Sequence, residues 1–364
     1  MDVDGVREGL KRYPAFGFLL TDDQIRSVLA VPKTYRTHPL VGLFADVVGD
    51  GSQVLTNTEG AVRALLRDPG TWQPWLRSRI AEAIREPAFS GVASALGEIR
   101  AAGDLQSTGL RVRPRPRQHT PQSDLMVSLR DRTAVVEVVT KLMNENEAKR
   151  VQAELAANER TREQHVKDRG IAISTVSIAP GGTPRRHETI GENVGQKFAS
   201  LKPHARQSSE IHPSLLWVDI QDDDWWAASA SHAKPVVTWK GEFTSGGIWH
   251  GFYGLRGTPT FERQRPALDG IRRTHRQTYP GLFSQHDRWA AAILSFQQST
   301  VIFEHPSPRR AMNLGLRETL LTLPRLRYED SWLSWPPGSS KVRVRVARAR
   351  RDLENLAKRA KYVW

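Results

Sequence analysis

Gln122-Ser123-Asp124-Leu125-Met126-Val127-Ser128-Leu129-Arg130-Asp131-Arg132-Thr133-Ala134-Val135-Val136-Glu137-Val138-Val139-Thr140 is the stretch on which the fold of this chain turns. Two short apolar runs flank a charged turn, Arg130-Asp131-Arg132, a pattern that predicts a β-hairpin. Asp124 opens the first run and Glu137 sits inside the second. A carboxylate among aliphatic neighbours is costly to bury unless a cation pairs with it. Two such groups on adjacent strands are how a protein gathers oxygen ligands for a hard cation such as magnesium. Two blander readings stay open: Asp124 as the plain start of a strand after a Gln-Ser turn, and Glu137 as the ion-pair partner of an arginine of the 111–117 run.

Working outward, Phe89, Val92, Leu96 and Ile99 recur at helical spacing, and that helix is expected to stop near Gly103. Leu110-Arg111-Val112-Arg113 alternates like a strand. Beyond the hairpin, 144–169 reads as a long polar helix, 171–178 as a strand and 188–202 as a helix. Leu215-Leu216-Trp217-Val218-Asp219-Ile220 is a near-continuous apolar run, typical of a strand buried on both faces. The alternation predicts an α/β core with some parallel pairing.

Three regions follow. Residues 1–86 read as helical, with capping-type residues from Thr21 to Gln24 and amphipathic pieces at 59–67 and 73–86. Residues 87–325 form the α/β core, with a Trp/Gly-rich insertion at about 222–285, a helix or strand at 289–296, a strand at 300–303 and a helix near 309–321. Residues 326–364 are a basic helix or tail.

The 364 residues carry 53 Lys and Arg against 39 Asp and Glu, a net charge of +14, and the pI is near 10.3. Such an excess favours polyanionic partners, nucleic acid before anionic membrane. The cations cluster. Arg111, Arg113, Arg115 and Arg117 alternate through one segment, and Arg343, Arg345, Arg348, Arg350 and Arg351 crowd the C-terminal one. Cysteine is absent, which excludes disulfides and thiolate chemistry and fits a reducing cytoplasm. Met1-Asp2-Val3-Asp4-Gly5 is acidic and lacks the apolar run of a secretion signal. No stretch approaches the roughly 20 apolar residues of a membrane span.

The order helix, strand, Asp strand, Glu strand, helix, strand resembles the PD-(D/E)XK nuclease superfamily. The residues that carry the resemblance are Glu98 on the first helix, Asp124, Glu137 and the later Leu215-to-Asp219 strand, and Val301-Ile302-Phe303-Glu304-His305-Pro306 near the end. It covers roughly residues 87–325. It implies a restriction-endonuclease-like mixed central sheet flanked by helices, and hydrolysis of nucleic-acid phosphodiesters, DNA before RNA. It further implies that Asp124, Glu137 and the Val138 carbonyl hold magnesium or manganese, with Glu98 as a further ligand or water-orienting group. A lysine two residues after the glutamate is part of the superfamily pattern, but that position is Val139 here. Lys141 shares the face of Glu137 by the two-residue strand repeat, about 7 Å further along. Lys149, Arg150, Lys197 and Lys202 are alternative sources from helices. A catalytically inactive nuclease-fold protein that binds nucleic acid or a protein partner is the competing expectation, and a homo-oligomer is compatible with either.

Other constellations carry less. The eleven histidines show no HxxxH or HExxH spacing. Asp222-Asp223-Asp224 reads as a solvated turn, and Gly181-Gly182 and Gly246-Gly247 as punctuation. Trp239, Phe243, Trp249, Phe252 and Tyr253 lie among cations, which suits either base stacking or a small subdomain core. Trp332, Trp335 and Trp364 are expected to anchor the C-terminal segment.

Overall fold

The computed structural model describes residues 1–31, 38–86, 89–115, 123–142, 145–170, 190–201, 208–222, 232–239, 242–261, 274–334 and 341–360. A mixed six-stranded sheet is its centre, formed by β1 (Arg111–Pro114), β2 (Leu125–Leu129), β3 (Arg132–Thr140), β4 (Ser214–Asp219), β9 (Trp289–Ser295) and β10 (Thr300–Glu304). The strands lie in the order β1-β2-β3-β4-β9-β10. The β1–β2, β2–β3 and β9–β10 pairs are antiparallel, whereas β3–β4 and β4–β9 are parallel. The expected hairpin is present, with Arg130 in the left-handed region (φ 53) at its turn. The segment at 289–296 is a strand. All seven residues of β9 are buried, and from Ala291 to Leu294 the side chains alternate between two cores, after a register shift that sets Ala290 and Ala291 in the same one.

One core joins Ala134, Val136, Val138, Leu215, Trp217 and Ile293 of the sheet to a layer of N-terminal helices. These helices are α1 (Val3–Leu10), α2 (Pro14–Gly17), α3 (Asp22–Leu29), α4 (Pro39–Val48), α5 (Gln53–Leu65), α6 (Pro69–Arg85) and α7 (Phe89–Ser107). The Thr21–Gln24 capping box starts α3, as its sequence predicts. The helical N-terminal region thus shares its apolar core with the sheet. The second core lies on the opposite face, against α9 (Ile190–Ala199), α10 (Gly247–Tyr253) and the C-terminal helix α13 (Val342–Ala360). The long polar α8 (Glu145–Arg169) lies between β3 and α9 in the chain. The strand expected at 171–178 lies outside the described residues. Among the described residues no helix is long and apolar enough to cross a membrane.

Residues 222–285 contain two small hairpins, β5 (Val236–Trp239) with β6 (Glu242–Ser245) and β7 (Pro259–Phe261) with β8 (Thr274–Arg276), followed by the short α11 (Leu282–Gln285). Gly247 is more than punctuation. With Gly251 on α10, it meets Gly191 and Gly195 of α9, where an added Cβ would come within 2.5 to 2.9 Å of the opposing backbone carbonyls. Only glycine lets the two helices cross this closely. The helix expected near 309–321 begins later, as α12 (Leu314–Leu320), because the Asn313 side chain caps it by accepting from Leu316 N.

The helix expected to stop at Gly103 continues to Ser107. Gly103 marks the crossing of α7 over α5, where a Cβ would lie 2.4 Å from the Ala61 Cα and carbonyl oxygen. The same helix carries Arg100, fully buried, whose guanidinium holds Asp219 at 2.8 Å and Asp222 at 2.5 Å. Burial pulls the Arg100 pKa down, but the two carboxylates more than reverse this and hold it above its ordinary value. Asp222 is therefore a buried ion-pair partner and not part of a solvated turn. Asp223 and Asp224 lie outside the described residues.

Two changes test these contacts by chemical denaturation. Gly103→Ala is expected to destabilise by roughly 1–3 kcal/mol through overpacking. Arg100→Met leaves two buried carboxylates without their cation and is expected to cost roughly 3–5 kcal/mol. A wild-type midpoint for either variant would contradict the corresponding contact.

Candidate active site

The β2–β3 ladder pairs Leu125 with Val136, so its next step sets Asp124 beside Glu137. The backbone fastens this step from both sides. Val138 N donates to Asp124 Oδ2 at 2.9 Å, and Arg115 N donates to the Asp124 carbonyl at 2.9 Å. Continued by that bond, the β1–β2 register places Arg115 opposite Asp124. Arg115, Asp124 and Glu137 thus form one row across three strands. Ala134, Val136 and Val138 enter the first core, so Glu137 faces the other side of the sheet.

Glu137 is buried, only 4% exposed, and its Oε2 has no hydrogen-bond partner among the described residues. Burial first, then the charges of Asp124 and Glu98 and a hydrogen bond with Asp124, push its pKa up to about 9. Arg111, Arg113 and Arg115 form no ion pair with it, so the arginine-paired alternative is not what the described residues adopt. Glu98 lies buried on α7, with Oε2 3.4 Å from Arg79 Nε of α6. Its charge reaches Glu137, but the side chain is engaged by Arg79. Arg79 itself was not singled out from sequence. It falls on the buried stripe of α6 with Trp72, Leu76, Ile80 and Ala83, and an arginine at such a position is a readable signal.

Lys141 follows β3 and is half-buried, and its backbone N donates to the Asp219 carbonyl at 2.8 Å, which extends the β3–β4 ladder. Strand alternation would set it on the Glu137 face, but the charges that act on Glu137 are those of Asp124 and Glu98. Val139, the position of the absent lysine, packs against the second core. Of the alternative cations, Lys149 is exposed on α8 and Lys197 half-buried on α9. Lys202 and the Arg150 side chain lie outside the described residues.

Among the candidate phosphate-contacting arginines, Arg111 and Arg113 are exposed and Arg115 is half-buried, donating from Nη1 to Ser123 Oγ at 2.8 Å. Arg117 lies outside the described residues. The C-terminal segment is a docked helix. Val342, Val346, Ala349, Leu353 and Ala357 are buried, while Arg343, Arg348 and Arg351 face outward. Arg345 donates to the Leu333 carbonyl at 3.2 Å and stacks 4.8 Å from the Trp332 ring centre, and Arg350 donates to the Tyr253 carbonyl. Both therefore spend donors on the protein itself. Trp332 anchors this helix as expected, whereas Trp335 and Trp364 lie outside the described residues. Trp249, Phe252 and Tyr253 are buried in the second core and offer no platform for bases. The side chains of Trp239 and Phe243 lie outside the described set.

Among the described residues no three His, Cys, Asp or Glu side chains are grouped so as to hold a metal ion. Magnesium does not require such a cage, because it is commonly held by one or two carboxylates with water and substrate phosphate completing the shell. The Asp124–Glu137 pair fits that donor set. Its buried, unpartnered Oε2 and its like-charge neighbours are what a divalent cation would relieve.

The sign of the Glu137 shift sets a pH dependence. A glutamate raised from 4.5 to about 9 contributes fully to stability below its unfolded value and loses that contribution as pH rises through about 9. In chelator, the wild-type protein is expected to lose stability across this window. Glu137→Gln, which cannot ionise, is expected to be more stable at the alkaline end by several kcal/mol. Denaturation curves for both proteins that shift equally with pH would show that Glu137 ionises normally.

The chain matches no protein-family model, no curated protein and no solved structure.

Proposed function

We propose that this chain is a metal-dependent nucleic-acid phosphodiester hydrolase with a restriction-endonuclease-like core, acting on DNA. The observation that carries the proposal is the Asp124–Glu137 pair: two carboxylates on one face of a sheet, one of them buried, with its pKa raised by that burial, and unpartnered at Oε2 among the described residues. The succession α7, β1, β2, β3, helix, β4, with β3 and β4 parallel, supports it as the order that the nuclease resemblance implies.

In this scheme Asp124, Glu137 and the Val138 carbonyl hold magnesium or manganese. The bound ion would neutralise charge on the phosphodiester and lower the pKa of a water. Glu137 must release its proton for the ion to bind, so affinity is tied to pH. Glu98, held by Arg79, keeps a negative charge beside the pair and orients water. Lys141 supplies the cation that Val139 lacks. The exposed arginines of β1 and of the outer face of α13 contact phosphates, whose affinity falls steeply with salt.

Val139 favours a second reading. An aliphatic side chain packed into the second core stands where the superfamily pattern has its lysine. The protein would then bind nucleic acid without cutting it.

Plasmid or oligonucleotide cleavage with magnesium or manganese separates the two. The enzyme reading expects Asp124→Ala and Glu137→Ala to slow cutting by at least about 100-fold and Lys141→Ala by at least about tenfold. It also expects metal affinity to climb toward tenfold per pH unit below about 9. Salt-sensitive DNA binding in chelator, with no cleavage under either ion, would establish the silent protein instead. An Asp124→Ala protein that cuts as well as wild type would overturn the enzyme reading.

A further inference from the structure

Among the described residues the β1 strand is an edge of the sheet, and its outward residues form a regular ladder. Val112 points into the first core, so Arg111 and Arg113 occupy the opposite face and are exposed. Arg115 continues the ladder by one more step and lies in the row of Asp124 and Glu137. Among the described residues none of these three arginines has a carboxylate partner. Their cross-strand neighbours are Ser128 for Arg111 and Met126 for Arg113, both half-exposed and neither acidic. The two-residue repeat of a strand is about 6.6 Å. That is close to the separation of successive phosphates along an extended nucleic-acid strand.

We propose that β1 is a three-phosphate rail: Arg111, Arg113 and Arg115 hold successive phosphates of one nucleic-acid strand and lead it to the Asp124–Glu137 pair. The identity of the ligand rests on the nuclease-fold reading above, but the rail itself requires no cleavage. Charged residues on an edge strand also discourage pairing with other chains. Edge protection alone does not require that the arginines share a face with the carboxylates and end in their row. Nor does it require the third guanidinium to be tethered. Arg115 is held by Ser123, itself buried at 1% exposure and adjacent in sequence to Asp124. The tether turns a surface charge into a fixed donor beside the site, at the end of the ladder where a strand would arrive. Such a rail reads backbone, not bases, so it confers a minimum length and no sequence preference.

The test uses the full chain in chelator and fluorescently labelled single-stranded DNA carrying one to six phosphates. Wild-type affinity is expected to climb with each phosphate through the third, with the slope of log K against log salt steepening by about 0.7 per phosphate. The double variant Arg111→Gln/Arg113→Gln is expected to bind the three-phosphate oligonucleotide roughly tenfold more weakly at low salt and to lose about 1.4 of that slope. Its single-phosphate binding should change little. Arg343→Gln/Arg348→Gln, on the outer face of α13, removes phosphate contacts beyond the rail, so it should weaken only the longer oligonucleotides and keep the climb through three phosphates. The rail is overturned if the β1 variant weakens all lengths equally, if the α13 variant erases the length dependence, or if wild type binds no DNA at low salt. A wild-type protein that never cuts, yet shows length-dependent binding that the β1 variant loses, would defeat the hydrolase reading and leave the rail standing.

Discussion

The pairing of Leu125 with Val136 is the constraint on which both the core and the candidate site depend. It turns Leu125, Val127, Ala134, Val136 and Val138 toward one apolar layer and sends Arg115, Asp124 and Glu137 to the other face. A one-residue slip would reverse every side chain of the hairpin. Each buried Val or Leu contributes roughly 1.5–3 kcal/mol, so several of them together outweigh the cost of one buried carboxyl group. The aliphatic residues thus choose the register, and the carboxylates are carried into proximity with it. The raised pKa of Glu137 is the mark of that imposed position. The same register brings the two acids close enough to share a hydrogen bond.

Helix α7 ties this hairpin to the rest of the molecule. Gly103 lets it lie close against α5, and Gly97 lets it approach Thr140 and Asp219, where a Cβ would come within 2.4 Å of Thr140 Oγ1. Its Arg100 closes the charge of Asp219 at the end of β4, beside the carbonyl that receives Lys141 N. Nearby, Asp104 pairs with Arg325 at 2.8 Å, yet burial still lifts its pKa to about 6. These groups surround the ends of the parallel strands with a buried polar network in which Asn57, Gln221 and Ser295 also take part. Removing one member leaves others unsatisfied, so the network resists piecemeal change.

The candidate site also depends on regions distant in sequence. Arg79 of α6 faces Glu98 of α7, which in turn bears on Glu137, so the N-terminal helices help to set the electrostatics of the hairpin. On the other face, α13 closes the second core, with Arg345 and Arg350 bound to carbonyls of the body. This divides a uniformly basic segment into two roles. Alternate helix faces make some arginines structural and leave Arg343, Arg348 and Arg351 for solvent.

Local pattern in the sequence determined the hairpin, its charged turn, the capped start of α3, the polar α8 and the two-sided burial of β4. Each rests on neighbours within a few residues, through strand alternation, capping chemistry or an unbroken apolar run. The candidate pair Asp124 and Glu137 was legible for the same reason, because two-residue periodicity and a short turn leave little choice of partner. Tertiary structure alone decided that Gly103 and Gly247 serve helix crossings, that Asp222 is buried against Arg100, and that Arg79 stands beside Glu98. It alone placed Arg115 in the row of the two acids and divided the arginines of α13 between body and solvent. Most of those outcomes join residues far apart in sequence, by 122 positions for Arg100 and Asp222. A glycine or a charge carries no local mark of what will approach it, and only the packing of distant elements determines whether that neighbour is backbone, counter-ion or water.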